Sequence, residues 1–300
     1  MIINIPITLC LSMAAALLGG VLRKDYTNKA AEGLASVFLF NCIMSGVAAV
    51  AFLLWGGLGE VSSYTLWLGL AFGLVTAVQS VAALNALRIG PMSITNVLLN
   101  FSVLITALSG MLFFDETLSW WQGVGIAWML VSFICLVEKK ADEQKTSWRW
   151  LGWCMVAWIC TGGIGLMQKA HQSSAHKGEL NAFLIVAFAF SFLFSLLATW
   201  VIKKKEDTAL FAVSAEKGNK RTERRLLLWI LLTGVLGAVN NKLNLYLSGA
   251  MDSAVFFPIV NGGGLVLSVL AGLVVFKEHL TKKQWLGIGF GVASVIFLCL

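Results

Sequence analysis

Ten long stretches of this 300-residue chain contain no Asp, Glu, Lys or Arg, and they constrain its fold more than any other feature. The stretches are 1–22, 33–59, 61–87, 89–114, 117–137, 150–168, 180–202, 226–241, 253–276 and 284–300. A helix needs about 20 apolar residues to cross the ~30 Å hydrocarbon core of a membrane. Runs of this length without a period of two exclude membrane-spanning strands. We therefore predict an all-α membrane protein with ten transmembrane helices.

Composition supports the same class of protein. Apolar residues make up 58% of the chain and charged residues 12%, whereas soluble domains usually carry about 25% charged residues. The formal charge of +7 lies in short clusters between the apolar stretches, which indicates membrane topology rather than nucleic-acid binding. No basic segment precedes the first stretch, so we expect a retained helix and not a signal peptide.

Basic residues are distributed unevenly between the connections. Connections after the odd-numbered stretches hold 19 Lys and Arg, eight of them in a basic loop at 203–225. The other three are Lys169, Lys177 and Lys242. Because basic residues favour the cytoplasmic side, we predict that the odd-numbered connections lie inside and that both termini lie outside.

An internal repeat relates the two halves of the chain. The segment 114–122, Phe-Asp-Glu-Thr-Leu-Ser-Trp-Trp-Gln, matches 276–284, Phe-Lys-Glu-His-Leu-Thr-Lys-Lys-Gln, at an offset of 162 residues. Two glycine pairs share this offset: Gly110 with Gly272, and Gly125 with Gly287. Each half holds five stretches, an odd number, so the second copy is predicted to be inverted in the membrane. We place the first five-helix repeat at 1–145 and the second at 146–300.

The two five-helix halves and their Glu-x-Leu turns, Glu116 to Leu118 and Glu278 to Leu280, resemble the drug/metabolite transporter superfamily. Within it they resemble the EamA-type ten-helix transporters. Asp115 and Lys277 stand where that family usually has Gly before the Glu. The resemblance implies a secondary carrier for amino acids, drugs, nucleotide sugars or small metabolites. Better known relatives place both termini in the cytoplasm, opposite to the orientation that the charges predict here.

Motifs for catalysis or cofactor binding are missing from the sequence. It contains no P-loop, Gly-x-Ser-x-Gly, HExxH or CxxC pattern, so we predict no enzyme, no cofactor and no metal site. His171 and His176 fall in one predicted loop and His279 in another, where we expect solvated side chains. With no ATP-binding sequence, uphill transport would need an ion gradient or a partner.

Polar side chains inside the apolar stretches are the candidates for substrate binding, because an unpaired polar group in lipid costs several kcal/mol. The third and eighth stretches carry polar pairs at similar positions, Gln79-Ser80 and Asn240-Asn241. Hydrogen bonding between helices is the structural alternative for each. The predicted substrate-binding residues are Gln79, Asn100, Trp158, Asn240, Asn241, Lys242, Asn244, Tyr246 and Asn261.

The ninth stretch contains Pro258 followed by Asn261 and three glycines at 262–264. Proline removes a backbone donor and each glycine weakens a helix by roughly 1 kcal/mol. We therefore expect a break whose freed carbonyls line a cavity. The alternative is that the glycines permit close packing of helices.

Lys242 interrupts the eighth stretch, which resumes to Met251, and it has two interpretations. Its long stem can carry the charge outward to the interface, or the charge can attract an anionic or zwitterionic group of a substrate. Asn240 and Asn244 share one helix face and Lys242 points away from it. All Asp and Glu lie in connections or at the ends of stretches, so we expect no proton coupling through a buried carboxylate.

These features predict a secondary transporter that moves a small polar or amphipathic metabolite across the membrane by alternating access. The alternative is a non-transporting membrane scaffold or assembly partner. We expect a small-molecule substrate and the lipid bilayer as partners, no nucleic acid, and a monomer or homodimer. The expected location is a cell membrane, with a prokaryotic inner membrane favoured.

Overall fold

The computed structural model describes residues 4–29, 34–89, 95, 98–136, 147–206, 220–275 and 281–300, which form helices and no strand. The helices are α1 (Ile5–Lys29), α2 (Leu34–Gly56), α3 (Ser63–Ile89), α4 (Val103–Phe113), α5 (Trp120–Leu136), α6 (Trp148–Gln172), α7 (Leu180–Glu206), α8 (Lys220–Ala250), α9 (Ser253–Val275) and α10 (Lys282–Leu298). A 3-10 turn at Lys177–Glu179 precedes α7. The prediction of an all-helical chain is confirmed.

Five of these helices are long and apolar enough to cross a membrane, judged by length and composition: α1, α2, α3, α6 and α7. Shorter apolar helices cover Leu98–Phe113, Trp120–Leu136 and Ser253–Leu267. The helices follow the order of the charge-free stretches, with one main helix in each. The chain therefore has the helical and apolar character of a membrane protein.

The chain divides into two compact units, and each unit takes helices from both halves of the sequence. Unit 1 contains Met1–Leu9, Ala82–Ser173 and Tyr246–Leu300, and unit 2 contains Cys10–Val81 and Ser174–Leu245. A sequence repeat and a compact unit are different divisions of a chain. The predicted repeat boundary between residues 145 and 146 therefore stays a prediction.

In unit 1, α5 and α10 pack against each other through two reciprocal hydrogen bonds. Ser132 Oγ donates to the carbonyl of Gly287 at 2.7 Å, and Ser294 Oγ donates to the carbonyl of Gly125 at 2.6 Å. The earlier residue on α5 contacts the later residue on α10, so the two helices are antiparallel. At the repeat offset of 162 residues, each bond becomes the other.

Glycine allows this close approach of α5 and α10. A Cβ added to Gly125 would lie 2.8 Å from Cγ of Leu298, and one added to Gly287 would lie 3.0 Å from Cγ of Leu136. Leu136 and Leu298 also match at the offset of 162 residues. Small residues at such contacts let helix backbones approach closely.

In unit 2, α2 and α7 pack in the same reciprocal way. Asn41 Nδ2 donates to Ser195 Oγ at 2.8 Å, and the hydroxyls of Ser45 and Ser191 lie 3.1 Å apart. All four residues are buried. An offset of 150 residues interchanges the two contacts, and again the helices are antiparallel.

The Ser or Thr and the Gln of the repeated turn motif are explained by the way α5 and α10 begin. Ser119 N donates to Gln122 Oε1 at 3.0 Å, and Gln122 N donates to Ser119 Oγ at 3.2 Å. Thr281 and Gln284 exchange the same bonds at 2.8 and 3.3 Å. Both are capping boxes, which satisfy donors that the first turn of a helix leaves free.

Helix α9 is continuous from Ser253 to Val275, so the break that we expected near Pro258 is not present. A Cβ on Gly262 would overlap the sulfur of Met129 on α5, which explains this glycine by packing. Pro258 lies in the second turn of α9. Proline has no N–H to donate to the carbonyl of Ala254 one turn earlier, yet the helix continues through it.

Candidate functional site

The predicted site residues are distributed over both units. Unit 2 contains Gln79, Asn240, Asn241, Lys242 and Asn244, and unit 1 contains Asn100, Trp158, Tyr246 and Asn261. All nine are half-buried.

In unit 2, Ser12 of α1 lies between two amides of α8. Ser12 Oγ is 2.9 Å from Asn240 Oδ1 and 2.5 Å from Asn244 Oδ1, and Ser12 is fully buried. A hydroxyl has one hydrogen, so it donates to one of these two amide oxygens at a time. The Asn240 and Asn244 face of α8 is therefore joined to α1 by a polar contact.

The polar pairs on α3 and α8 differ in their surroundings. Asn241 Nδ2 donates to the carbonyl of Gly237 at 2.9 Å, one turn earlier on its own helix. Ser80 is buried, whereas Gln79 is half-buried. Asn241, at the similar position of the second pair, is half-buried, so the second residues of the two pairs differ in burial.

Lys242 points away from Asn240 and Asn244, as their spacing predicts. Its Nζ lies 3.4 Å from Asn181 Oδ1 at the start of α7 and 5.3 Å from the ring centre of Trp55 near the end of α2. The two amides of α8 therefore contact α1, whereas the lysine of α8 contacts α2 and α7. The charge of Lys242 lies beside the last turn of α2 and the first turn of α7, where each of these helices adjoins a connection.

A second polar cluster in unit 2 joins the start of α3 to the turn before α7. Glu179 accepts from Ser62 N at 2.9 Å and from Ser62 Oγ at 2.8 Å. Hydrogen bonds from the Thr65 side chain and the Ser62 backbone hold the pKa of the Glu179 carboxyl at about 2. His176 Nδ1 lies 3.1 Å from Glu179 Oε1, and its ring stacks on Tyr64.

In unit 1, Glu116 and Lys169 form a buried ion pair. Lys169 Nζ lies 2.5 Å from Glu116 Oε1, and the two side chains are 9% and 8% exposed. Glu116 also accepts from the backbone N–H of Ser253 at 2.8 Å, and Lys169 donates to the carbonyl of Met251 at 2.9 Å. The pair ties the connection after α4 to the end of α6 and the start of α9.

Two local features place Glu116 in this position. Asp115 has a φ of +54°, a left-handed conformation that non-glycine residues rarely adopt. A Cβ on Gly110 would overlap the Glu116 carboxylate. The turn therefore needs a residue that tolerates positive φ before the Glu and a glycine beneath it. Glycine would fit the position of Asp115, because it adopts positive φ without strain.

Trp158 on α6 has a buried indole Nε1 that has no hydrogen-bond partner among the residues that the structure describes. An N–H donor without an acceptor is costly in a nonpolar environment. A shallow cavity of about 340 Å³ lies at the end of unit 1 where α8 meets α9, and its lining includes Lys169 and Asp252. None of the nine predicted site residues lines that cavity.

The prediction for His171 is wrong. Helix α6 continues to Gln172, and His171 is fully buried rather than solvated in a loop. His176 does lie in a connection and is partly exposed. In the ranges that the structure describes, no three His, Cys, Asp or Glu side chains lie close enough to hold a metal ion.

Sequence reasoning missed Ser12, Trp55, Asn181 and the pairing of Glu116 with Lys169. Ser12 and Asn181 are polar residues in apolar stretches, so the criterion that selected the other candidates could have included them. Trp55 has the signal of an interfacial tryptophan near the end of a stretch. The partner of Glu116 had no signal, because no local pattern connects it to Lys169.

A solved structure shares the fold of this chain, and none of the comparisons with known proteins gives a function. No protein-family model matches the chain. A solved crystal structure superposes with a TM-score of 0.71 over 97% of this chain and 94% of that one, at 14% sequence identity. An uncharacterized protein of Haemophilus influenzae is 23% identical over 200 residues, which is 66% of this chain. The chain spans 62% of that protein's length.

Proposed function

We propose that the chain is a secondary transporter for small polar or amphipathic metabolites, of the EamA type, with ten transmembrane helices in two inverted five-helix repeats. The odd-numbered connections lie inside and both termini lie outside. No ATP-binding motif occurs in the sequence, so an ion gradient or a partner drives any uphill transport.

The reciprocal contacts between α5 and α10 carry this proposal. Ser132 binds Gly287 while Ser294 binds Gly125, and the repeat offset interchanges the two bonds. Replacing each residue of one contact by its equivalent in the other repeat gives the other contact. Surfaces related by a two-fold axis contact each other in this way. A two-fold relation between antiparallel helices supports an inverted repeat, the architecture of many secondary transporters.

The same pattern in unit 2 supports the proposal independently. The contacts between α2 and α7 interchange at an offset of 150 residues, whereas those between α5 and α10 interchange at 162. The long basic loop at 203–225 separates α7 from α8 and supplies residues that its counterpart between α2 and α3 lacks. One insertion in the second half therefore accounts for both offsets.

Polar groups on α8 are our candidates for contact with the substrate. Asn240 and Asn244 are half-buried, share the hydroxyl of Ser12, and keep further donors and acceptors that this one hydroxyl does not satisfy. Membrane carriers place such groups at depth, where water cannot replace their partners. The carboxylate of Glu116 is paired with Lys169 and bonded to Ser253. This supports a transport mechanism in which no buried carboxylate carries protons.

Uptake into proteoliposomes tests the function. The purified chain is reconstituted and offered a panel of labelled amino acids, organic acids, nucleosides and cationic drugs, with protein-free liposomes as the blank. We expect saturable uptake of at least one class, reduced when Asn240 and Asn244 are both replaced by Ala. Asn4 is an exposed amide directly before α1, so Asn4→Ala is the matched control and should retain uptake. No uptake from the whole panel by folded protein contradicts transport and favours a scaffold.

A further inference from the structure

Lys242 is a half-buried cation whose neighbours are neutral. Its Nζ lies 5.3 Å from the centre of the Trp55 ring, within the range of a cation–π contact. Its hydrogen bond goes to Asn181 Oδ1 at 3.4 Å, which is long for a charged donor. An ammonium group has three N–H donors, so this contact leaves hydrogen-bonding capacity at Nζ.

The orientation of Asn181 is fixed by the end of α2. Its Nδ2 donates to the carbonyl of Phe52 at 3.0 Å and to the carbonyl of Gly57 at 2.6 Å. Both amide hydrogens are thereby used, so Oδ1 must be the atom that faces Lys242. A Cβ on Gly56 would lie 3.1 Å from Nδ2, so glycine at this position leaves room for the amide. The contact with Lys242 is therefore preorganised.

No carboxylate of the described residues neutralises Lys242. The ion pairs in those ranges join Glu116 with Lys169 and Glu179 with His176. Glu179 belongs to the same unit, but Ser62, Thr65 and His176 already occupy its oxygens. A partly buried charge in a membrane protein is costly unless a counter-charge reaches it.

We propose that Lys242, positioned by Asn181 and Trp55, binds an oxyanion, a carboxylate or a phosphate, at the end of unit 2 where α2 and α7 meet. The free N–H groups of Lys242 donate to the anion, and Trp55 shields one side of the ammonium. The anion belongs either to a small solute or to the phosphate of a lipid headgroup. The site does not depend on transport, so a failed uptake assay leaves it standing.

The test measures anion binding to the purified full chain in detergent. Inorganic phosphate is titrated at constant ionic strength while the melting temperature is followed, and retention of phosphatidylglycerol is measured by native mass spectrometry. Lys242→Met is compared with Lys177→Met, which removes the same charge from an exposed position in a nearby connection. Lys242→Gln serves as a second variant should Lys242→Met fail to fold.

We expect wild-type protein to bind phosphate, phosphatidylglycerol or both, and Lys177→Met to bind equally well. Lys242→Met should bind about tenfold more weakly, the factor that loss of one hydrogen bond to a charged group gives. Phosphate binding identifies a solute site, and phosphatidylglycerol binding alone identifies a lipid headgroup site. Wild-type protein that binds neither probe, or Lys242 variants that bind as wild type does, overturns the proposal.

Discussion

Glu116 and Lys169 form an ion pair with 2.5 Å between Oε1 and Nζ, buried at the end of α6. Breaking such a pair leaves one charge buried without its partner, at a cost of about 3–5 kcal/mol. Glu116→Gln and Lys169→Met should each lower the free energy of unfolding by roughly this amount. The double variant should lose less than the sum of the two.

A double-mutant cycle of unfolding in mixed micelles measures this coupling. Glu60→Gln, an exposed carboxylate in the connection after α2, is the control and should change stability little. Single-variant losses that simply add in the double variant would show that the two charges do not interact.

Asp115 has a φ of +54° and should tolerate some residues far better than others. A left-handed conformation costs a residue with a Cβ about 1–2 kcal/mol, glycine almost nothing, and Asn less than most. Asp115→Gly and Asp115→Asn should therefore leave the melting temperature unchanged or raised. Asp115→Val should lower it, because a β-branched side chain is poorly accommodated there. Equal melting temperatures for the Gly and Val variants would contradict this account of the turn.

Gly125 and Gly287 should be equally intolerant of a methyl group. An added Cβ would lie 2.8 Å from Leu298 at the first position and 3.0 Å from Leu136 at the second. Overpacking of this kind costs about 1–3 kcal/mol, so Gly125→Ala and Gly287→Ala should each destabilise by that amount. Gly289→Ala on α10 is the control, since no atom of the described part of the chain lies within 4 Å of its added Cβ. A loss of stability in Gly289→Ala as large as in the other two variants would contradict this explanation of the packing.

Glu179 makes the stability of unit 2 sensitive to acid. Hydrogen bonds from Thr65 and Ser62 lower its pKa from 4.5 to about 2 in the folded chain. The folded pKa is the lower one, so ionised Glu179 contributes stability above about pH 4.5 that is lost as the pH falls towards 2. The melting temperatures of wild type and Glu179→Gln should differ by a constant amount near neutral pH. That difference should close between pH 4.5 and 2, and a difference that persists to the acid end would refute the assignment.

The helices were predictable from the sequence because each charge-free stretch is long enough to specify one. The ends were less predictable: α8 begins at Lys220 and α1 extends to Lys29, well into regions that the charges marked as connections. Lys and Arg are good helix formers, so charge ends the apolar stretch without ending the helix. The prediction of a break in α9 was wrong because the glycine that suggested it, Gly262, packs against Met129 within a continuous helix.

The contacts of the candidate site were only partly predictable. Helical spacing places Asn240 and Asn244 on one face and Lys242 on another, and the structure agrees. Spacing cannot say which distant segment lies opposite each face. The pairing of Ser12 with these amides, and of Lys242 with Asn181, depends on how the helices assemble.

The measurement that tests the inverted repeat most directly is labelling of two equivalent capping residues, Ser119 and Thr281, from one side of the membrane. They match at an offset of 162 residues and cap α5 and α10 with the same bonds. Each is replaced by Cys in a variant without native cysteines, and intact cells are treated with a membrane-impermeant maleimide. The account predicts labelling of Ser119→Cys from outside and of Thr281→Cys only after the membrane is opened. Labelling of both variants from the same side would contradict it.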